Sequence, residues 1–164
     1  MDNLVEWLEV SAVVSSCFPR LEDLIMRNCP KLKTMPSRFT SLTSLYIDNL
    51  QELEFLPEWS PQNNKNIRSM SIWDCHKLEA IISSKRCEGI IQRESEERLQ
   101  MQALETLQIS RCSRLKSIIP DVQWDFTSLR ELHIQDCHEL TCLLDGQHRL
   151  KSLKKLSISD CPII

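Results

Sequence analysis

The feature that most constrains this chain is a twelve-residue pattern that recurs six times in one register. It reads LEDLIMRNCPKL at 21–32, LTSLYIDNLQEL at 42–53, IRSMSIWDCHKL at 67–78, LETLQISRCSRL at 104–115, LRELHIQDCHEL at 129–140 and LKKLSISDCPII at 153–164. All six reduce to LxxLxIxxCxxL. Units repeating at such short intervals cannot bury an apolar side alone, so the chain has to stack them.

The columns define what is stacked. The first is Leu21, Leu42, Ile67, Leu104, Leu129 and Leu153, and the second is Leu24, Leu45, Met70, Leu107, Leu132 and Leu156. The third column, Met26, Ile47, Ile72, Ile109, Ile134 and Ile158, stands two residues after the second. That is the period of a strand, so both columns face the same side. Cys29, Leu50, Cys75, Cys112, Cys137 and Cys161 form the fourth column, and Leu32, Leu53, Leu78, Leu115, Leu140 and Ile164 the fifth. None of these positions carries a charge.

Second-column residues stand 21, 25, 37, 25 and 24 residues apart. All but the 37 fit a leucine-rich repeat. The long interval marks an insertion at roughly 83–98, SSKRCEGIIQRESEER, whose charge density and lack of strand alternation predict a surface loop or short helix outside the stack. The expected fold is therefore an α/β repeat: a leucine-rich-repeat solenoid with a parallel β-sheet on its concave face and irregular or short helical return segments. Residues 1–17, where Val5, Leu8, Val10 and Val13 echo the spacing, are expected to be a degenerate repeat or N-terminal cap; 18–164 form the repeat domain. Five buried side chains at roughly 1.5 to 3 kcal/mol each would not offset the ordering of about 24 residues at roughly 1 to 2 kcal/mol apiece. Each repeat needs its neighbours.

Composition narrows the function. The chain is 26% charged with a net charge of -3, and its basic residues are scattered singly or in pairs, which gives no patch for nucleic acid. No apolar run reaches the roughly 18 residues of a membrane span, and the start, MDNLVEWLEV, is acidic where a signal peptide is basic. A soluble, cytoplasmic chain is expected, and neither a membrane nor a small-molecule cofactor is an expected partner. Five of the 8 cysteines share one column, which predicts reduced, buried thiols and not a disulfide framework.

No constellation suggests chemistry, so the chain is expected not to be an enzyme. His138-Glu139-Leu140-Thr141-Cys142 imitates the start of HExxH, but its fifth position is Cys and Leu140 belongs to the repeat. The pairs Cys75-His76 and Cys137-His138 place neighbours on opposite sides of an extended chain.

With its terminal apolar-proline pair the repeat becomes LxxLxIxxCxxLxxLP, carried by Met35-Pro36, Leu56-Pro57 and Ile119-Pro120; Ile82-Ser83 and Leu144-Asp145 keep the apolar residue and lose the proline. In this form it resembles the C-terminal leucine-rich repeats of plant nucleotide-binding disease-resistance proteins, especially their coiled-coil class. The resemblance covers about residues 18–164 and implies a recognition role in plant innate immunity. Implied partners are a pathogen effector, a host protein or the receptor's own signalling domains. Nucleotide binding does not carry over, since the chain has no GxxxxGK followed by Ser or Thr, and its only glycines are Gly89 and Gly146. The sixth motif closes at Ile164 without a polar cap, so an exposed apolar end is expected. A substrate adaptor of the F-box type for a ubiquitin ligase is the competing expectation, although no F-box is visible.

Binding residues are sought among the variable positions between the buried aliphatics, which on a curved parallel sheet point together onto the concave face. One row is Ile25, Tyr46, Ser71, Gln108, His133 and Ser157; the next is Arg27, Asp48, Trp73, Ser110, Gln135 and Ser159. Aromatics with arginine nearby most often anchor protein interfaces. Arg27, Tyr46, Trp73, Arg111 and His133 are therefore the candidate patch. Trp59 and Trp124 fall in return segments and are expected to pack on the outer side.

Overall fold

Strict alternation in the LxI core should bury two side chains per strand and leave three facing out. In a computed structural model of the chain, which describes residues 4–7, 18–56, 64–81, 99–100, 103–118, 124–143 and 150–162, that is the arrangement found at 23–27, 44–48, 69–73 and 131–135, while Ser110 is buried as well at 106–110 and no residue is buried at 155–159. The strands are β1 (Asp23–Arg27), β2 (Ser44–Asp48), β3 (Ser69–Trp73), β4 (Leu99–Gln100), β5 (Thr106–Ser110), β6 (Trp124–Asp125), β7 (Glu131–Gln135) and β8 (Lys155–Ser159). Six of them form one parallel sheet in the order β1-β2-β3-β5-β7-β8, and β4 pairs with β6 beside it. Among the described residues there is no helix, so the described return segments take the irregular form.

Pairing is in register throughout. Leu24, Leu45, Met70, Leu107, Leu132 and Leu156 are Cα partners in turn, as are Met26, Ile47, Ile72, Ile109, Ile134 and Ile158. The insertion between β3 and β5 leaves this undisturbed, since Ile72 pairs directly with Ile109. The insertion at 83–98 lies outside the described residues, as does Trp59.

The interior is made of the five columns together with the return segments, with Leu32, Leu42, Ile47, Ile72, Leu78, Leu115 and Leu140 fully enclosed. At β8, an edge strand paired with β7, every residue is exposed, with Leu156 at 53% and Ile158 at 38%. Near the other end Leu4 and Trp7 pack against the core, while Val5 points outward at 42% exposure. Glu6 bridges Thr34, and the Lys33 N–H donates to the Val5 carbonyl at 2.8 Å. This segment thus joins the return side of the first repeat. Leu8, Val10 and Val13 lie outside the described residues.

Three devices turn the chain at each repeat. The residue after each strand adopts a left-handed conformation: Asn28, Asn49, Asp74, Arg111, Asp136 and Asp160 have φ between 53 and 58°. Asn and Asp tolerate this region best among residues with a Cβ. A tight turn follows, in which the fifth-column N–H donates to the fourth-column carbonyl, as in Leu78 to Cys75 at 3.2 Å. A second turn precedes the next strand and starts three residues before the first column, at Phe18, Phe39, Asn64 and Leu150, whose carbonyls accept the N–H of Leu21, Leu42, Ile67 and Leu153. Phe39 and Phe126 are buried at this position. Asn64, buried there in their place, donates to the Ser37 carbonyl at 2.7 Å and accepts the Phe39 N–H at 3.1 Å, which ties two repeats together.

The cysteine column has a defined partner. Each thiol reaches the carbonyl two residues earlier, at 3.4 Å for Cys29 to Arg27, 3.3 Å for Cys75 to Trp73 and 3.4 Å for Cys137 to Gln135. Those carbonyls at Trp73 and Gln135 already accept ladder bonds from Asn49 and Arg111, so the thiol supplies a second, weaker donor. Leu50 can therefore interrupt the series at small cost. The Cys75 thiol, by hydrogen bonding, holds Cys112 well above the ordinary thiol range, with burial adding to it. Burial pushes Cys137 up from 9.0 to about 11. Both shifts favour the protonated form of Cys112 and Cys137 at neutral pH.

Two outcomes are expected. Ile72→Ala, in the middle of the stack, should lower unfolding stability in urea by about 2 to 5 kcal/mol, whereas Ile158→Ala on half-open β8 should cost less than about half of that. Equal losses would mean that neighbour coverage is not what stabilises a rung. Because the folded-state thiol pKa values are raised, their contribution is complete below the unfolded value and fades as pH rises through the folded one. The urea midpoint should thus hold up to about pH 8, fall from about pH 9 towards 11, and fall less steeply in Cys137→Ala.

Candidate functional site

The outward residues of the six strands form a single surface, and register decides which of them meet. Ile25 lies opposite Tyr46 and Arg27 opposite Asp48, which makes Arg27 and Tyr46 diagonal neighbours. Tyr46 and Trp73 are diagonal across β2 and β3 by the same rule. Long side chains reach across such diagonals. The Arg27 guanidinium carbon sits 4.5 Å from the Tyr46 ring centroid. Tyr46 and Trp73 stack at 6.5 Å with their planes 27° apart. Arg111 lies over Trp73 at 5.8 Å. Four of the five sequence-predicted residues thus form one ladder, cation on ring on ring on cation.

Arg111 is an outlier that the ladder explains. Among the described left-handed positions it is the one that is neither Asn nor Asp, although such a conformation costs roughly 1 to 2 kcal/mol for an ordinary L-residue. Its guanidinium grips Asp74 with both arms, Nε to Oδ1 at 2.7 Å and Nη2 to Oδ2 at 2.8 Å. That planar fork sets its place beside the indole of Trp73. On the other side of Asp74 the network continues, with Gln51 Nε2 donating to the Asp74 carbonyl at 2.9 Å and to Asn49 Oδ1 at 2.6 Å, and Asn49 Nδ2 to Asn28 Oδ1 at 3.0 Å.

His133 stands apart from the ladder. It lies on β7, 3.5 Å from Glu131 Oε2, across a shallow hollow of about 210 Å³ from Trp73. Gln108 and Ser110 on β5, Gln135 on β7, and Ser157 and Ser159 on β8 also line the hollow. Sequence reasoning placed these residues in the right rows but gave them no weight, since it looked for aromatics and charge. It also missed Asp74, whose role depends on a turn conformation, and it did not single out Ile25, the most exposed large apolar side chain among the described residues at 63%. Among the described residues the buried Trp73 Nε1–H has no hydrogen-bond acceptor. Such an orphan costs on the order of 1 to 3 kcal/mol and calls for an explanation.

The stretch from His138 to Cys142 forms a turn and a bridge: Leu140 N–H donates to the Cys137 carbonyl at 3.4 Å, and Cys142 pairs with Ser117. It is not helical, so the stacked-histidine geometry of HExxH has no counterpart there.

A six-rung, in-register parallel sheet with a turn column and a cysteine column defines a leucine-rich-repeat solenoid. Comparison with known proteins is more specific. Residues 1–137 match the leucine-rich repeats of plant disease resistance proteins of the RPS2-like family, and the chain belongs to that family. It is also 27% identical, over 98% of its length, to an RPP13-like disease resistance protein of Arabidopsis thaliana, of which it spans 14%. No solved structure matches the chain. It is a leucine-rich-repeat module of the plant defence class. No helix among the described residues is long and apolar enough to cross a membrane.

The ladder is testable through Arg111. In the wild-type chain Arg111→Asn should change unfolding stability by less than about 0.5 kcal/mol, because relief of the backbone offsets loss of the ion pair. In an Asp74→Asn background, where the pair is already gone, the same substitution should gain about 1 kcal/mol. Identical effects in both backgrounds would show that the fork does not hold the strained residue.

Proposed function

We propose that this module binds protein: it recognises a pathogen or host protein in the plant cytoplasm through the open face of its sheet, and it carries out no chemistry. The observation that supports this best is the ladder of Arg27, Tyr46, Trp73 and Arg111. Aromatics and arginines supply most hot spots because they combine large, stiff contact area with hydrogen-bonding or charged tips. Here they are ordered before any partner arrives, so less conformational entropy is lost on docking. Exposed Ile25 extends the same strip towards β1. Two of the column thiols fit the non-catalytic reading. Cys112 and Cys137 are fully enclosed and held in the protonated form.

The test compares the wild-type chain with a Tyr46→Ala/Trp73→Ala double variant in quantitative affinity capture from leaf cytosol. Proteins retained by the wild type should bind the variant at least about tenfold more weakly, with circular dichroism and the unfolding midpoint little changed. Undiminished capture of the same proteins by a folded double variant would remove the open face from the mechanism.

A further inference from the structure

We infer that the hollow between Trp73 and His133 receives an uncharged, extended peptide stretch of the partner, carrying Asn, Gln, Ser or Thr side chains and held by neutral hydrogen bonds. This rests on the reading of the chain as a protein-binding module and specifies what that module selects. Three observations carry it.

The first is the charge distribution. The chain is 26% charged, yet among the residues lining the hollow His133 is the one ionisable side chain. The charges lie at the rims, with Glu131 and Lys155 paired in register where β7 and β8 begin, and Asp136 and Asp160 just beyond where they end. A charged group entering the hollow would lose hydration, and the charged side chains nearest to it are already engaged, Glu131 with His133 at 3.5 Å and Arg111 with Asp74 at 2.7 Å, so little charge pairing is gained in return. Amide and hydroxyl groups can instead trade donors and acceptors with Gln108, Gln135 and the serines.

The second observation is size. A volume of about 210 Å³ is below the range of roughly 300 to 1,000 Å³ usual for sites that engulf a free small molecule. It suits side chains projecting from a longer segment that lies across the strands.

The third concerns Trp73, which forms a wall of the hollow. Tyr46 stacks on its ring at 6.5 Å and Arg111 lies 5.8 Å from its centroid, so the ring is already engaged by two side chains of the chain itself. What Trp73 still has to offer is its N–H, the buried side-chain donor without an acceptor among the described residues. A small rotation of the indole towards an incoming carbonyl would satisfy it. A peptide has such a carbonyl at every residue, so peptide fits this wall better than glycan.

The experiment screens the chain against an immobilised positional-scanning library of capped octapeptides, with chitin oligosaccharides as a parallel probe. Selected peptides should be enriched in Asn, Gln, Ser and Thr, and their affinity should change less than about twofold between about 50 and about 500 mM NaCl. Gln108→Ala/Gln135→Ala should weaken them at least about tenfold. Selection of acidic or basic peptides, a steep salt dependence, binding of the oligosaccharide alone, or no selection at all would overturn the inference. The Tyr46→Ala/Trp73→Ala variant separates the two claims. Peptides that lose binding with it but tolerate Gln108→Ala/Gln135→Ala refute the neutral hollow and leave the docking face standing. Peptides indifferent to both refute both.

Discussion

Everything in this molecule depends on the in-register stacking of two aliphatic side chains per strand. Leu45 and Ile47 are enclosed only because Leu24 and Met26 lie on one side and Met70 and Ile72 on the other. On the edge strand β8 the same residue types are exposed, as at Leu156 and Ile158, whereas on the opposite edge strand β1 Leu24 and Met26 stay buried. Hydrophobic coverage of this kind is local and directional along the stack, so stability accumulates rung by rung and not around one central core. It also explains why spacing can vary from 21 to 37 residues while register holds. The strand and its flanking turns are specified residue by residue, whereas the return segment only has to come back to the right place.

That division of labour frees the outward face. Side chains at Tyr46, Trp73, Gln108 and His133 contribute little to the stack, because alternation turns them away from it. The strand rows can therefore carry a cation-ring ladder at one end and a neutral hollow at the other without disturbing the interior. Arg111 is the exception, since it performs a backbone duty and a surface duty at once. The turn wants Asn or Asp, and the face uses an arginine. Strain kept at one repeat and absent from the other five points to use of that side chain.

The sequence made the fold legible because its signal is redundant. Six copies of LxxLxIxxCxxL place Ile47, Ile72 and Ile109 beyond doubt as one buried column, and the period of two between the second and third columns identifies strands without a partner sequence. The turn column was just as visible, with Asn28, Asn49, Asp74, Asp136 and Asp160 one residue before the fourth column, but its meaning lies in a backbone angle that composition does not announce. The column of Phe18, Phe39 and Phe126 was harder, because Asn64 and Leu150 stand in the same place with different chemistry. At the N-terminal segment spacing alone does not assign the inward side, since Val5 faces solvent while Leu4 and Trp7 face in.

The candidate site was legible one residue at a time and not as an arrangement. Sequence rows put Tyr46 beside Ser71 and Trp73 beside Asp48, which by itself suggests two separate aromatics. Only the length of the side chains and the diagonal between adjacent strands bring the rings to 6.5 Å. His133 illustrates the limit of choosing residues by type: selected as a fifth member of the patch, it faces the ladder across a floor of amides and hydroxyls. Those modest residues decide which chemistry the face admits, because a ladder of aromatics and arginines offers affinity to many partners. An uncharged floor rejects those that arrive with an unpaired charge, and specificity of that kind is a difference between affinities.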